Sequence, residues 1–281
     1  LIPTRLETLV LFGYFLLHGI FLSSYNVDHH ELISDFKNQM IIYASDRAGI
    51  LAFAHFPLIV LFGGRNNFLH WLTGIRYKSF ITYHKWLGRV MLVDCMIHAI
   101  GYTYHAFLRN YWKYVKHSTL WSYGRHGMII LGVIVFFSFF FFRRHYYEFF
   151  LITHIMLAAA FFYACWRHCY TLGWTEWITI AVIFWLADRV LRLVKILFFG
   201  FPSAKIEMCG EFLIKVTIPK PHKTWMAKPG QYIYLSFLRP TFFWQSHPFT
   251  VMDSLVDEGQ LIVVITVKKG LTSRLKNYVL Q

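Results

Sequence analysis

Two apolar segments of the chain carry paired histidines at one spacing. YHKWLGRVMLVDCMIH holds His84 and His98, THIMLAAAFFYACWRH holds His154 and His168, and 14 residues separate the members of each pair. Because a helix advances about 100° per residue, both members of a pair lie on one helix face, roughly 21 Å apart along the axis. That rise covers most of the ~30 Å hydrocarbon core of a bilayer. The spacing therefore predicts two membrane helices, each with one imidazole near either membrane surface.

The composition agrees with a polytopic membrane protein. Of 281 residues, 57% are hydrophobic and only 15% are charged, whereas soluble domains carry about 25% charged residues. The net charge is +14, but the basic residues mostly flank apolar runs, and the sequence contains no nucleic-acid-binding motif. We therefore attribute this charge to the anionic membrane surface and to topology, not to nucleic acid.

Six apolar stretches before residue 200 predict a six-helix membrane domain over residues 1–200. The predicted spans are about 6–25, 41–62, 80–106, 123–142, 146–169 and 174–199. Basic residues follow the second and fourth spans and stand at the end of the sixth, which assigns those ends to the cytosol. The third and fifth spans then run in the same direction. We therefore expect His84 to face His154 near the cytosol and His98 to face His168 near the outer surface.

This arrangement of histidines favours haem iron over other metals. Ionisable side chains inside membrane spans are costly and are functional candidates by default. Zinc or copper sites need clustered ligands, which a 14-residue separation does not provide. Two imidazoles on one iron fill both axial positions, as in electron-transfer haems. Phe161 lies midway between His154 and His168 and is a candidate for the path between two haems, although plain helix packing explains it equally well.

Other polar residues in the spans have simpler interpretations. Asp94 could orient His98 or form an interhelical salt bridge with a basic residue. Local hydrogen bonding is the expected role of three further histidines, and helix packing that of the cysteines within the spans. These residues are His18, His55, His105, Cys95, Cys165 and Cys169. Four histidines on the outer side are expected to be solvated loop residues, with binding of a metal ion before its reduction as the alternative: His29, His30, His117 and His126.

The sequence pattern of residues 201–281 predicts a small antiparallel β-barrel or sandwich. Short alternating runs such as EFLIKVTIP, QYIYLSFL and QLIVVITVK are separated by turns rich in proline and glycine. The motif His247-Pro248-Phe249-Thr250 follows one of these strands. A Lys-Lys-Gly-Leu-Thr turn over 268–272 precedes a predicted helix, and its backbone N–H groups suit a phosphate.

Together these words resemble the ferric reductase transmembrane superfamily, which includes NADPH oxidases, and most closely the fungal ferric-chelate reductases. The matching words are DRAG (46–49), GRNNFLHWLTG (64–74), YHKWLGRV (83–90), PGQY (229–232), HPFTV (247–251) and KKGLTSRL (268–275), besides the spaced histidines. The resemblance implies a six-helix bundle holding two b-type haems, followed by a ferredoxin-reductase-like FAD-binding barrel. His84 and His154 would bind the inner haem, and His98 and His168 the outer haem.

The resemblance also implies further site residues. His247, Pro248, Phe249 and Thr250 would bind the flavin of FAD. Lys268, Gly270 and Thr272 would approach the FAD phosphates. Arg47 matches an arginine near the outer haem, where it could pair with a propionate or an anionic iron chelate.

The implied activity is transmembrane metal reduction at the plasma membrane, with the vacuolar membrane as an alternative. Cytosolic NADPH would supply electrons through FAD and two haems to an extracellular ferric chelate or siderophore, or to Cu(II). Nothing after Gly270 resembles the family's nicotinamide domain. We expect that domain in a longer protein, with a second chain as the alternative.

Two other functions are compatible with parts of the sequence. A superoxide-generating NADPH oxidase would use the same cofactors and differ only in its outer pocket. A transporter or channel could line a proton path with these histidines, but it would contain no haem and would not account for the HPFT domain.

Overall fold

The computed structural model describes residues 3–24, 36–220, 231–238, 245–252, 259–268 and 270–280. A segment with the acidic residues Asp28, Glu31 and Asp35 lies outside these ranges, as do His29, His30, Pro229, Gly230 and Lys269. The chain divides into two compact units, Leu1–Arg192 and Leu193–Gln281.

Long helices stand at all six predicted positions. In chain order the helices are α1 (Arg5–Ser23), α2 (Phe36–Gly63), α3 (Phe68–Thr73), α4 (Tyr77–Leu108), α5 (Trp112–Val115), α6 (Thr119–Phe137), α7 (Phe140–His145), α8 (Tyr147–Cys169) and α9 (Glu176–Phe199). A short 3-10 turn, Tyr170–Leu172, follows α8. Among the described residues, α1, α2, α6 and the stretch Tyr147–Leu172 are long and apolar enough to cross a membrane. The other two long helices, α4 and α9, carry more charged side chains.

The fourth predicted span, 123–142, is wrong at its C-terminal end. Helix α6 stops at Phe137, Ser138 caps it, and Phe139 is extended before α7 begins. Phenylalanine and serine are weak helix formers, so the run FFSFFFF does not sustain one helix.

The helices of the first unit pack as two pairs, α2 along α4 and α6 along α8. Their shared core contains Phe56 of α2, Met91 of α4, Leu131 of α6 and Phe161 of α8. Cys165 is part of this core and Cys95 packs against it, as expected of packing residues. Many large apolar side chains of α1, α8 and α9 point outwards instead. Lipid contact explains such a surface, because soluble proteins rarely expose large contiguous apolar patches.

Helix α9 is tied to the segment after α2 by a buried carboxylate. Asp188 accepts hydrogen bonds from the backbone N–H of Asn66 at 2.9 Å and from its side-chain amide at 3.2 Å. Asp188 also pairs with Arg192 at 2.6 Å. Asn67 caps α3 by accepting from the N–H of Leu69 at 2.9 Å. The motif GRNNFLHWLTG therefore forms the corner between α2 and α4.

Among its described residues, the second unit contains a five-stranded antiparallel sheet and the helix that follows it. The strands are β1 (Lys205–Met208), β2 (Leu213–Pro219), β3 (Tyr232–Leu235), β4 (His247–Met252) and β5 (Gln260–Thr266), in the order β1-β2-β5-β4-β3, followed by α10 (Leu271–Val279). The predicted strands and the helix after the glycine turn are thus confirmed. Alternating side chains of β2 and β5 form a core that Leu275 of α10 completes.

Strand β4 changes partner along its length. Residues 247–250 pair with β3, whereas Val251 and Met252 pair with β5. Such a strand bends from one part of the sheet into the next, as strands of small barrels do. The HPFT motif forms the part of β4 that pairs with β3.

Candidate electron-transfer site

The structure brings the four predicted histidines into two facing pairs. The ring centres of His84 and His154 are 6.1 Å apart, and those of His98 and His168 are 6.0 Å apart. Each pair joins α4 to α8, so the imidazoles face each other between the two helix pairs. This is the pairing expected from two spans that run in the same direction.

The separation of the rings suits one metal ion between them. Imidazole nitrogens bind metal ions at about 2.0 Å, so two rings on opposite sides of one ion place their centres roughly 6 Å apart. Both observed separations match this value. The residues present therefore fit two metal centres with axial imidazoles, and haem iron is the group that takes such ligands.

Backbone carbonyls orient three of the four imidazoles. The Nδ1 atoms of His84 and His98 lie 2.8 Å and 2.9 Å from the carbonyls of Ile59 and Ser45 on α2. The Nδ1 of His168 lies 2.7 Å from the carbonyl of Leu120 on α6. With Nδ1–H as donor, the lone pair resides on Nε2, where it is available to a metal. In each helix pair, then, one helix supplies the ligand and the other its orienting carbonyl.

A glycine stands four residues after each of these carbonyls. A Cβ on Gly49 would lie 2.5 Å from Nδ1 of His98, one on Gly124 would lie 3.0 Å from Cε1 of His168, and one on Gly63 would lie 3.4 Å from Nδ1 of His84. A helical side chain covers the turn N-terminal to it, so a side chain here would cover the carbonyl that receives the imidazole. The sequence reasoning missed these glycines, although Gly49 and Gly63 repeat the 14-residue spacing of the histidines.

His154 is the exception to this pattern. Its Nδ1 is buried and has no hydrogen-bond partner among the described residues. By the 14-residue spacing, Ser138 stands where a glycine after Gly124 would be expected. Because α6 ends at Phe137, that position caps the helix instead of continuing it. The corresponding carbonyl, that of Ile134, lies inside α6 and accepts the N–H of Ser138 at 3.0 Å. What differs from the other three positions is that Ser138 carries a side chain where they have glycine.

Phe161 lies in the core between the two histidine pairs, as its sequence position predicts. The pair His84–His154 is called the inner level below, and the pair His98–His168 the outer level. It is 4% exposed, and its ring centre lies 5.6 Å from that of Phe56 on α2. Gly127 of α6 lies against its ring. The two phenylalanines fill the space between the helix pairs, and a role in electron passage stays a prediction.

Arg47 lies on α2 two residues after Ser45, whose carbonyl receives His98. Its guanidinium donates to the carbonyl of Ser24 just after α1. Nearby, the hydroxyl of Tyr102 donates to Asp46. Arg47 is thus close in sequence to the predicted outer level, and its contact with a haem or chelate stays a prediction.

The remaining intramembrane histidines hydrogen-bond locally, as predicted. His105 contacts the hydroxyl of Tyr111 at 2.7 Å, His55 that of Tyr14 at 2.6 Å, and His18 contacts Asp94 at 3.1 Å. Asp94 directs its carboxylate at His18 and His55 of neighbouring helices. This agrees with the interhelical interpretation of Asp94 and not with an orienting contact to His98.

In the second unit, the HPFT residues point to two sides of β4. Phe249 packs against the sheet core, and His247 shares its side of the strand. Pro248 and Thr250 are exposed on the other side and pair across the sheet with Tyr234 and Tyr232. The half-exposed face of β3 and β4 therefore combines two tyrosines with a proline and a threonine. The tyrosines are an addition to the predicted site.

The predicted phosphate turn has a defined backbone geometry. Gly270 has a φ of 94°, which favours glycine, and it directly precedes α10. The hydroxyl of Thr272 accepts from the N–H of Lys268 at 2.7 Å and donates to its carbonyl at 2.8 Å. Thr272 thus closes the turn, and contacts of Lys268, Gly270 and Thr272 with FAD phosphates stay predictions.

Paired histidines in a helical membrane domain, followed by an antiparallel sheet with a glycine turn, define a transmembrane redox protein. Comparison with known families agrees. Residues 48–165 match the ferric reductase like transmembrane component family, and residues 198–281 match an FAD-binding domain family. The chain belongs to the ferric reductase family and is a multi-pass membrane protein.

Several curated fungal proteins are similar to the whole chain. It is 71% identical over 281 residues to ferric reductase transmembrane component 5 of Saccharomyces cerevisiae, covering 100% of the chain and 40% of that protein. It is 48% identical to ferric/cupric reductase transmembrane component 2 of the same yeast, covering 99% of the chain and 39% of that protein. It is 34% identical to ferric/cupric reductase transmembrane component 1 of Candida albicans, covering 99% of the chain and 37% of that protein. The chain thus spans about two fifths of the length of these relatives.

Proposed function

We propose that this chain is the membrane and flavin portion of a ferric-chelate reductase. Electrons from cytosolic NADPH would pass through FAD and two bis-histidine haems to an extracellular ferric chelate, a siderophore or Cu(II). The observation that carries this proposal is the pair of imidazole couples, each with ring centres about 6 Å apart. When bound, the haems and FAD supply the redox chemistry, and the protein supplies their position and surroundings.

The residues of the first unit hold and orient the haems. Two imidazoles on each haem iron would leave no open position for a substrate, which would suit electron transfer. Carbonyls of Ile59, Ser45 and Leu120 fix three of the rings. Phe56 and Phe161 exclude water from the space between the two levels. Arg47, two residues after Ser45 on α2, would attract an anionic chelate to the outer side.

The exposed face of β3 and β4 is the proposed site for the flavin ring. Tyr232 and Tyr234 offer aromatic surface beside Pro248 and Thr250, and the hydroxyl of Thr250 can hydrogen-bond the ring. The turn at Gly270 would direct backbone N–H groups of α10 towards the FAD phosphates. NADPH would bind in a part of the longer protein outside this sequence.

The relatives named ferric/cupric reductases favour a metal acceptor over oxygen. The basic residues after α2 and α6 and in the second half of α9 favour a cytosolic flavin domain. We propose residence in the plasma membrane, where the outer histidine level would face extracellular chelates.

The test is reduction of a ferric chelate by intact cells that produce the full-length protein, with superoxide dismutase present or absent. We expect His98→Ala to abolish reduction, and His105→Gln on the same helix to retain it. Purified His98→Ala protein should lose one of two haems and keep FAD. Activity that survives His98→Ala would refute the ligand assignment. Activity that the dismutase abolishes would identify a superoxide-producing oxidase instead.

A further inference from the structure

Three buried side chains from three helices meet away from the histidine pairs. His18 of α1, His55 of α2 and Asp94 of α4 each offer one nitrogen or oxygen atom, and these atoms all lie within 4.8 Å of one another. Asp94 is 1% exposed and His55 is 4% exposed. An ionisable cluster this deep in a membrane domain is costly without a function or a counter-ion.

Two separations within the cluster are close to those between ligands of one metal ion. Nε2 of His18 is 3.1 Å from Oδ1 of Asp94, and Nδ1 of His55 is 3.6 Å from Oδ2 of the same carboxylate. Ligands bound at about 2.1 Å around a tetrahedral ion lie roughly 3.4 Å from one another. The two measured separations lie on either side of that value.

Two atoms of the cluster have no hydrogen-bond partner among the described residues. They are Nδ1 of His55 and Oδ2 of Asp94, both buried and facing each other. At 3.6 Å these atoms are too far apart for a hydrogen bond. Leaving two such polar groups buried costs free energy, whereas a cation between them would bind both.

The other ring nitrogen of His55 already has a partner. Its Nε2 lies 2.6 Å from the hydroxyl of Tyr14 on α1. With Nε2–H as donor to that hydroxyl, Nδ1 keeps its lone pair towards Asp94. Metal-binding histidines typically donate their second ring N–H to an oxygen in this way, which fixes the tautomer.

We propose that His18, His55 and Asp94 bind a divalent first-row transition-metal ion between α1, α2 and α4. Two imidazoles and one carboxylate form a ligand set used for zinc and for iron(II). The ion would neutralise the buried carboxylate and fasten α1 to the other two helices. This inference uses none of the four haem-pair histidines and does not depend on the proposed reductase activity.

The test measures zinc in the purified full-length protein, with haem content as the readout of folding. The protein is equilibrated with zinc, dialysed against a weak chelator and measured by elemental analysis. We expect the unmodified protein to retain about one zinc per chain, and His18→Ala and His55→Ala to fall to background with haem unchanged. His105→Gln, a half-buried histidine of α4 outside the cluster, should retain the zinc.

X-ray absorption at the zinc edge provides a second readout that haem iron does not disturb. Nitrogen and oxygen neighbours at about 2.0–2.2 Å with imidazole scattering are expected, and Tyr14→Phe should weaken zinc affinity about 10- to 100-fold. Absence of retained zinc in the unmodified protein would overturn the proposal and leave a hydrogen-bonded carboxylate. Equal retention by His18→Ala and His55→Ala would also overturn it.

Discussion

At the scale of single residues, the histidine site depends on glycines as much as on histidines. His98 reaches the carbonyl of Ser45 only because Gly49, four residues later, has no side chain. The same relation joins His84 to Gly63 and His168 to Gly124. The histidines alone are therefore insufficient to form the oriented pairs, since the neighbouring helix must also leave its carbonyl uncovered.

Gly49→Ala should displace the imidazole of His98 and lower occupancy of the outer haem. The added Cβ would lie 2.5 Å from Nδ1 of His98, closer than atoms can pack without a shift. Overpacking of this kind costs about 1–3 kcal/mol. The measurement is the haem-to-protein ratio of the purified protein. Gly132→Ala on α6 is the control, because no described atom lies within 4 Å of its added Cβ; equal haem content in both variants would contradict the prediction.

At the scale of elements, single contacts decide where helices begin, end and dock. Helix α6 ends at Phe137, and Ser138 then stands at the position that is glycine beside the other three histidines. Nδ1 of His154 has no hydrogen-bond partner among the described residues. Helix α9 docks through Asp188, which holds Asn66 and Arg192 together. The polar motif after α2 thus serves helix packing.

Asp188→Ala should destabilise the membrane domain by about 3 kcal/mol, because it removes the carboxylate that pairs with Arg192 and accepts from the N–H of Asn66. The value is at the low end for a buried ion pair, since a quarter of the Arg192 side chain is exposed. Thermal unfolding in detergent would measure the loss. Glu176→Ala, at the exposed start of the same helix, should cost less than about 1 kcal/mol. An unchanged midpoint for Asp188→Ala would show that α9 docks by other contacts.

At the scale of the whole molecule, the chain consists of two units with separate cores. Phe56, Met91 and Phe161 belong to the first core, whereas Val216, Val263 and Leu275 belong to the second. The histidine pairs lie wholly in the first unit and the HPFT strand wholly in the second. Binding of haem and of flavin should therefore respond to different substitutions.

Thr250→Val should lower FAD occupancy several-fold and leave haem content unchanged. The substitution removes an exposed hydroxyl from β4 and keeps the β-branched shape, so the sheet itself should be retained. Flavin fluorescence after denaturation and the haem-to-protein ratio measure the two effects on one sample. Thr266→Val, an exposed threonine on β5, should alter neither. Loss of haem in Thr250→Val would contradict independent cofactor binding.

The sequence by itself determined the features that repeat within a single helix or strand. Helical rise and rotation place His84 and His98 on one face, and strand alternation marks β2 and β5, because both follow from the backbone of a single element. The facing of His84 with His154 followed from the parallel direction of two spans. The turn at Gly270 before α10 was also predictable from the sequence, since a positive φ favours glycine.

Only the tertiary structure decided which atoms meet across elements. The carbonyls that orient three imidazoles, the cluster of His18, His55 and Asp94, and the change of partner along β4 join residues distant in sequence. Such contacts depend on how neighbouring helices and strands pack, and no periodicity within one element records them.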